Sequence, residues 1–139
     1  MSLIAGEYQD LVKRGITEAT CRHFGYQVGY LGDSRVQIAP YYSASGELVA
    51  QKVRGADKGF KVLGNLKEST GLFGSRLWGS GKKIVITEGE IDCMTVSQIQ
   101  NNKWPTVSIP NGAQGAAKAI KANLEYFDAF DEVVLMFDM

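Results

Sequence analysis

The chain has 139 residues, no net charge at neutral pH, 45% apolar and 22% charged residues. Such a composition fits one soluble globular domain with a real core, or such a domain with a small extension. No apolar run approaches the roughly 18 residues that cross a bilayer, and no signal-peptide pattern opens the chain, so neither a membrane protein nor a secreted precursor is expected.

The two cysteines, Cys21 and Cys93, are far apart and outside any CxxC pattern. That argues against a disulfide framework or a zinc site and fits a reducing cytoplasm. Zero net charge conceals a division along the chain. Residues 51–87 carry eight basic side chains against two acidic ones, whereas residues 88–139 carry three basic against eight acidic. A basic middle and an acidic end suit a protein that holds a polyanion in one place and a metal in another. The plain alternative is a solvated surface whose charges pair across it.

In chain order, Tyr8 to Lys13 reads as a short helix stopped by Gly15. Thr17 opens a second helix that Gly25 closes, with Ile16, Ala19 and Phe24 available to bury one face. Tyr26 to Leu31 reads as a strand, and Gly32-Asp33 as a turn. Arg35–Tyr42 and Leu48–Arg54 form a hairpin around a glycine-bearing loop, and Phe60–Leu63 is a further short strand. Lys52 and Arg54 alternate with Val53, so both should leave one face while Val53 points inward. With Lys58 and Lys61 they are expected to make one basic patch that meets phosphates. The same residues also suit a wet sheet face. Residues 65–80 read as a glycine-bearing linker anchored by Leu72-Phe73 and Leu77-Trp78.

Lys82-Lys83 leads into Ile84-Val85-Ile86-Thr87, an apolar run without polar alternation, rich in β-branched residues. That pattern predicts a strand covered on both faces, as in a parallel sheet. Glu88 then stands at the strand's carboxyl end, Gly89 turns the chain, and Asp92 falls early in a helix over Ile91–Gln100. Open α/β sheets place their ligands at such an edge. Thr106–Ile109, the Pro110-Asn111-Gly112-Ala113 loop, a helix over Ala116–Phe127 and a strand over Val133–Phe137 complete a β-α-β-α-β series. The last strand also ends on an acid, Asp138. Should the two strands be neighbours, Glu88, Asp92 and Asp138 converge, and their repulsion calls for a proton or a cation. An all-oxygen donor set favours magnesium or a similar hard metal. Glu90, in the first helical turn, reads more simply as a helix-start acid.

Glu88-Gly89-Glu90-Ile91-Asp92, the Pro-Asn-Gly-Ala loop and Phe137-Asp138 resemble the TOPRIM domain of DNA primases and topoisomerases. Gln51-Lys52-Val53-Arg54, Leu72-Phe73-Gly74, Gly81-Lys82-Lys83-Ile84-Val85 and Leu135-Met136-Phe137-Asp138 extend the likeness, most nearly to the bifunctional primase–helicases of T-odd bacteriophages. The resemblance implies an α/β fold: a TOPRIM (Rossmann-like) parallel sheet with flanking helices, preceded by a small α+β subdomain with an antiparallel hairpin. Residues 1–80 would form the subdomain, and residues 81–139 the first part of the TOPRIM sheet, incomplete at its C-terminus.

It further implies a DNA primase that makes short RNA primers on single-stranded DNA by Mg2+- or Mn2+-dependent nucleotidyl transfer. In that family pattern Glu88 is catalytic and, with Asp92 and Asp138, holds metal, while Lys52 and Lys58 hold nucleotide and nucleic acid; Arg54 and Lys61 join them from the charge pattern. Template DNA, ribonucleoside triphosphates, the RNA primer and a helicase domain or other replisome protein are the implied partners. The family pattern continues Asp-x-Asp beyond Met139, and the zinc module and the helicase of full-length relatives fall outside this sequence. A fragment with little primer synthesis of its own is therefore expected. A TOPRIM-like binding module without catalysis and a TOPRIM nuclease are the competing readings, and the match of the basic hairpin to primases distinguishes among them.

Overall fold

The computed structural model describes residues 2–56, 59–110 and 112–137. Its contacts divide the chain into two units, Met1–Ser69 and Thr70–Met139. Residues 70–80, read above as a linker, group with the second unit.

In the first unit, Thr17 is extended and its Oγ1 accepts from the Thr20 amide at 3.2 Å, capping helix α1 (Glu18–Phe24). Asp10 Oδ1 accepts from the Glu18 amide at 2.7 Å, so a second orphan donor of the first turn is satisfied. Gly25 ends the helix in the left-handed conformation. The helix expected over Tyr8–Lys13 does not form. Glu7 exchanges both backbone hydrogen bonds with Val28, and Leu11 both with Ile16, leaving a single 3₁₀ turn at Val12–Arg14. Pairing across to a strand satisfies the groups that a helix would have paired internally.

Four strands follow: β1 (Gln27–Leu31), β2 (Ser34–Tyr42), β3 (Leu48–Arg54) and β4 (Phe60–Gly64). They form an antiparallel sheet in the order β1-β2-β3-β4. Val36, Ile38, Val53 and Leu63 make a core on one face, with Leu3 and Ile4 packed against it. Buried Gln51 pins that amino-terminal segment. Its Oε1 accepts from the Ile4 amide at 2.8 Å and its Nε2 donates to the Ile4 carbonyl at 2.6 Å, so one side-chain amide replaces a missing backbone partner.

The second unit is a parallel sheet in the order β6-β5-β7, from β5 (Gly81–Thr87), β6 (Thr106–Ser108) and β7 (Phe130–Met136). Helix α2 (Glu90–Ile99) links β5 to β6. The helix expected over Ala116–Phe127 is two, α3 (Ala116–Ala122) and α4 (Leu124–Phe127). Asn123 divides them. Its amide donates to the carbonyls of Ala119 and Thr70, both at 2.8 Å, a side-chain competition that breaks helices. Leu124, just past the break, is exposed to solvent. Strand β7 begins at Phe130 rather than Val133, so Asp131 and Glu132 lie within it. The Glu132 carboxylate stands 3.9 Å from Lys83 Nζ, both side chains well exposed, an arrangement that contributes little stability.

The core of this unit is Leu72, Ile84, Ile86, Val107, Ile109, Phe127 and Phe130. Phe73, fully buried, exchanges two backbone hydrogen bonds with Ser108. Trp78 Nε1 donates to the Thr106 carbonyl at 3.0 Å. Of the expected anchors, Phe73 and Trp78 thus hold residues 70–80 to the parallel sheet. Among the described residues no helix is long and apolar enough to cross a membrane.

Gly64 has φ +76°, and a Cβ there would stand 2.4 Å from the Val49 carbonyl oxygen; Gly46 has φ +90° but open space around it. Left-handed backbone costs a non-glycine residue roughly 1–3 kcal/mol. In urea denaturation, Gly46→Ala should lose stability within that range, and Gly64→Ala clearly more. Equal losses would contradict the close approach of the β3 and β4 backbones.

Candidate functional site

The carboxyl edge of the parallel sheet is built from β5 outward. Past the exposed Lys82 and Lys83, Ile84, Ile86 and Thr87 have no exposure and Val85 has 7%, so no charge can be accommodated along the second half of the strand until it ends. Glu88 is the first residue past that end, and it is half-buried. Thr87 fixes the turn. Its hydroxyl donates to the Gly89 carbonyl at 3.1 Å, with the Val107 carbonyl of β6 at 3.5 Å as second acceptor. The Ile109 amide donates to the Thr87 carbonyl at 3.2 Å. Neighbouring strand and turn thus both grip the residue before Glu88.

Gly89 is the N-cap of α2, and Glu90 and Asp92 lie in the helix's first turn, where the unpaired amides favour negative charge. Asp92 is exposed, and its Oδ2 lies 3.9 Å from where a Cβ on Gly89 would stand. Its carboxylate therefore faces back over the turn that carries Glu88. Glu90 is 5% exposed; a first-turn acid was expected there, but nothing in the sequence marks it as buried. Behind the turn, burial pushes the Cys93 thiol well above its usual range, and the carboxylates of Glu90 and Asp92 add to the effect. Cys93 stays a neutral thiol and donates to the Thr106 carbonyl at 3.5 Å.

Strands β5 and β7 are parallel neighbours, with Thr87 opposite Met136. The carboxyl ends of both strands therefore share one edge of the sheet, as the sequence reading required. Asp138 itself lies outside the described residues, as does Asn111 of the Pro-Asn-Gly-Ala loop. Among the described residues no group of three or more His, Cys, Asp or Glu side chains stands close enough to hold a metal ion. Ser108, at the end of β6, has a buried hydroxyl oxygen without a hydrogen-bond partner among the described residues. The sequence offered no signal for that.

The basic residues separate. The register pairs Arg54 with Phe60, Lys52 with Val62 and Val53 with Lys61. Facing residues of an antiparallel pair share a side of the sheet, so Lys52, Arg54 and Phe60 share one face and Lys61 lies on the other. A single patch of all four cations was expected; the register divides it. Lys52 is only 7% exposed, not on a wet face, and its Nζ lies 4.4 Å from the centre of the Phe60 ring. Arg54 and Lys61 are exposed, and Lys58 lies outside the described residues.

This fold is shared with the DnaG catalytic core, at 15% identity and a TM-score of 0.63 over 90% of this chain and 52% of that one. The parallel-sheet unit is a TOPRIM fold, a central strand ending in an acidic turn. The sequence family described as the N-terminal α+β fold of bacteriophage T7 DNA helicase/primase matches residues 6–64. The chain is 48% identical over 134 residues to a DNA helicase/primase of Enterobacteria phage T3, spanning 96% of this chain and 24% of the relative.

The primase fragment of the bacteriophage T7 primase–helicase superposes with a TM-score of 0.91 at 47% identity, over 96% of this chain and 56% of that one. The T7 primase domains solved with the lagging-strand polymerase, an RNA/DNA hybrid and dTTP match with a TM-score of 0.90 at 47% identity, over 96% of this chain and 68% of theirs. The chain belongs to the primase part of the T7-type phage primase–helicase family. It spans about a quarter of the length of the T3 relative.

Thr87→Val keeps the β-branched shape and removes the hydroxyl that holds the turn. Losing one such bond costs about 1 kcal/mol, read by urea denaturation, and amide exchange at Glu88, Gly89 and Glu90 should quicken. Thr87→Ser should restore both. Unchanged exchange in Thr87→Val would show that the turn is held by something else.

Proposed function

We propose that this chain is the primase core segment of a phage-type primase–helicase, acting in DNA replication to make short RNA primers on single-stranded DNA. The observation that carries the reading is the acidic turn Glu88-Gly89-Glu90-Ile91-Asp92 at the end of the central strand, in a chain 47–48% identical to phage primase proteins. Its partners in this reading are the template strand, ribonucleoside triphosphates, the growing RNA primer and a helicase domain. It works in the cytoplasm of the host cell.

The edge suits a hard divalent ion, magnesium or manganese. Its donors are carboxylate oxygens, and Asp92 is turned back toward Gly89 in the turn after β5. We assign Glu88, Asp92 and Asp138 to holding it. When bound, the ion offsets charge that develops on the transferred phosphate and on the attacking and leaving oxygens. Glu88 also serves as the catalytic carboxylate, its position fixed by Thr87 and by the α2 start. Lys52 and Arg54 offset triphosphate charge from one face of the antiparallel sheet, followed along the chain by Lys58, while Lys61 adds positive charge on the reverse face.

The test joins this chain to the remainder of the phage T3 sequence and supplies a single-stranded oligonucleotide, labelled ribonucleotides and magnesium. Short labelled primers are expected, and Glu88→Gln should lower their yield on the order of 100-fold, the scale of losing one preorganised charge-stabilising group. A shortened template would instead identify a nuclease, and binding without either product a non-catalytic module.

A further inference from the structure

We propose that Phe60 is a nucleobase-stacking residue, its ring backed by the Lys52 ammonium and its open surface offered to a base. This rests on the reading of the antiparallel sheet as the surface that meets nucleotide phosphates.

Among the described residues strand β4 pairs with β3 alone, at the edge of its sheet. Phe60 begins it, with 48% of its surface exposed. The face it lies on buries Ala39, Tyr41, Ala50 and Lys52 at its inner positions, and Phe60 stands at the margin of that packing. Val62, two residues along and on the same side, is 37% exposed, so the apolar surface continues past the ring. The surroundings are cationic: Arg54 stands directly opposite Phe60 in the register, and Lys52 Nζ lies 4.4 Å from the ring centre.

A cation over one side of a ring draws on its quadrupole and fixes the ring's orientation. The exposed remainder of the ring is then a platform held in place. Single-strand binding surfaces combine these two parts, an aromatic on which a base stacks and basic groups that track the phosphates. Shielding of Lys52 alone would account for the contact on the buried side. It gives no reason for leaving half of a phenyl ring in water beside an exposed arginine.

The ligand chemistry is a planar nucleobase attached to phosphate, from a free nucleotide or from a strand. The experiment measures binding of this chain to a labelled oligothymidylate, to the same strand with abasic sites, and to ATP. Wild type should hold the base-bearing strand or ATP, and the abasic strand should bind about tenfold or more weaker than the intact one if the strand is the source. Phe60→Leu, which keeps apolar volume, should weaken binding of the base-bearing ligand by a similar factor without changing its salt dependence, because no ion pair is lost. Phe60→Tyr should retain affinity. Arg54→Gln should weaken every ligand and lower the salt slope by about one.

A loss confined to ATP makes the source a nucleotide, and a loss confined to the oligonucleotide makes it a strand; either supports the proposal. Unchanged affinity in Phe60→Leu beside a weakened Arg54→Gln would overturn the stacking role and leave the phosphate surface standing. Unchanged affinity in both variants, or no binding by wild type, would overturn the surface reading and the stacking role with it. Equal wild-type affinity for intact and abasic strands, together with no effect of Phe60→Leu on ATP, would overturn the stacking role whatever the stability of the variants.

Discussion

A dry central strand governs the second unit. Charge is too costly to place along the buried half of β5, where Ile84, Ile86 and Thr87 have no exposure, so the first acid appears only where the strand stops. The ladder to β6 continues to the Ile109 amide on the Thr87 carbonyl, and the Thr87 hydroxyl closes the turn onto Gly89. Glu88 therefore occupies a position set by two strands and a helix start rather than by a loop. The acids of the first α2 turn add to the same edge, in a place where helix amides offset part of their repulsion. The geometry separates the two requirements of the site: rigidity comes from the apolar sheet, and charge from residues that the sheet excludes.

The same physics explains what could be read from the chain. A run such as Ile84-Val85-Ile86-Thr87 announces a covered strand because its signal is local and continuous, and Thr17 and Gly25 announce α1 because caps act within a turn. The acidic turn followed from the strand's end. Pairing between distant segments carried no such signal. Glu7 with Val28 replaced an expected helix, and Asn123 with Thr70 divided another. Each depends on a partner more than 20 residues away, and a local pattern cannot express it.

The basic residues show a subtler limit. Alternation within β3 was read correctly, so Lys52 and Arg54 do share a side. Which side Lys61 takes depends on the register between β3 and β4, and a slip of one residue would exchange its side with that of Phe60. Residue counts in the connecting turn do not fix that parity. The expected patch of four cations therefore became a face with Lys52, Arg54 and an aromatic, and a reverse face with Lys61 above the Val53 core.

That exchange has a physical consequence. A lysine only 7% exposed must recover in contacts the hydration that it gives up. The ring of Phe60, 4.4 Å from its Nζ, contributes to that recovery. An acidic partner in the position of Phe60 would neutralise Lys52 and set an anion opposite Arg54, which would repel phosphate. The aromatic at that position holds the ammonium and sets no anion opposite Arg54. Among the described residues the ion pair found on the parallel sheet, Lys83 with Glu132, belongs to the other unit. Its partners face each other across β5 and β7, the base from residues 51–87 and the acid from residues 88–139.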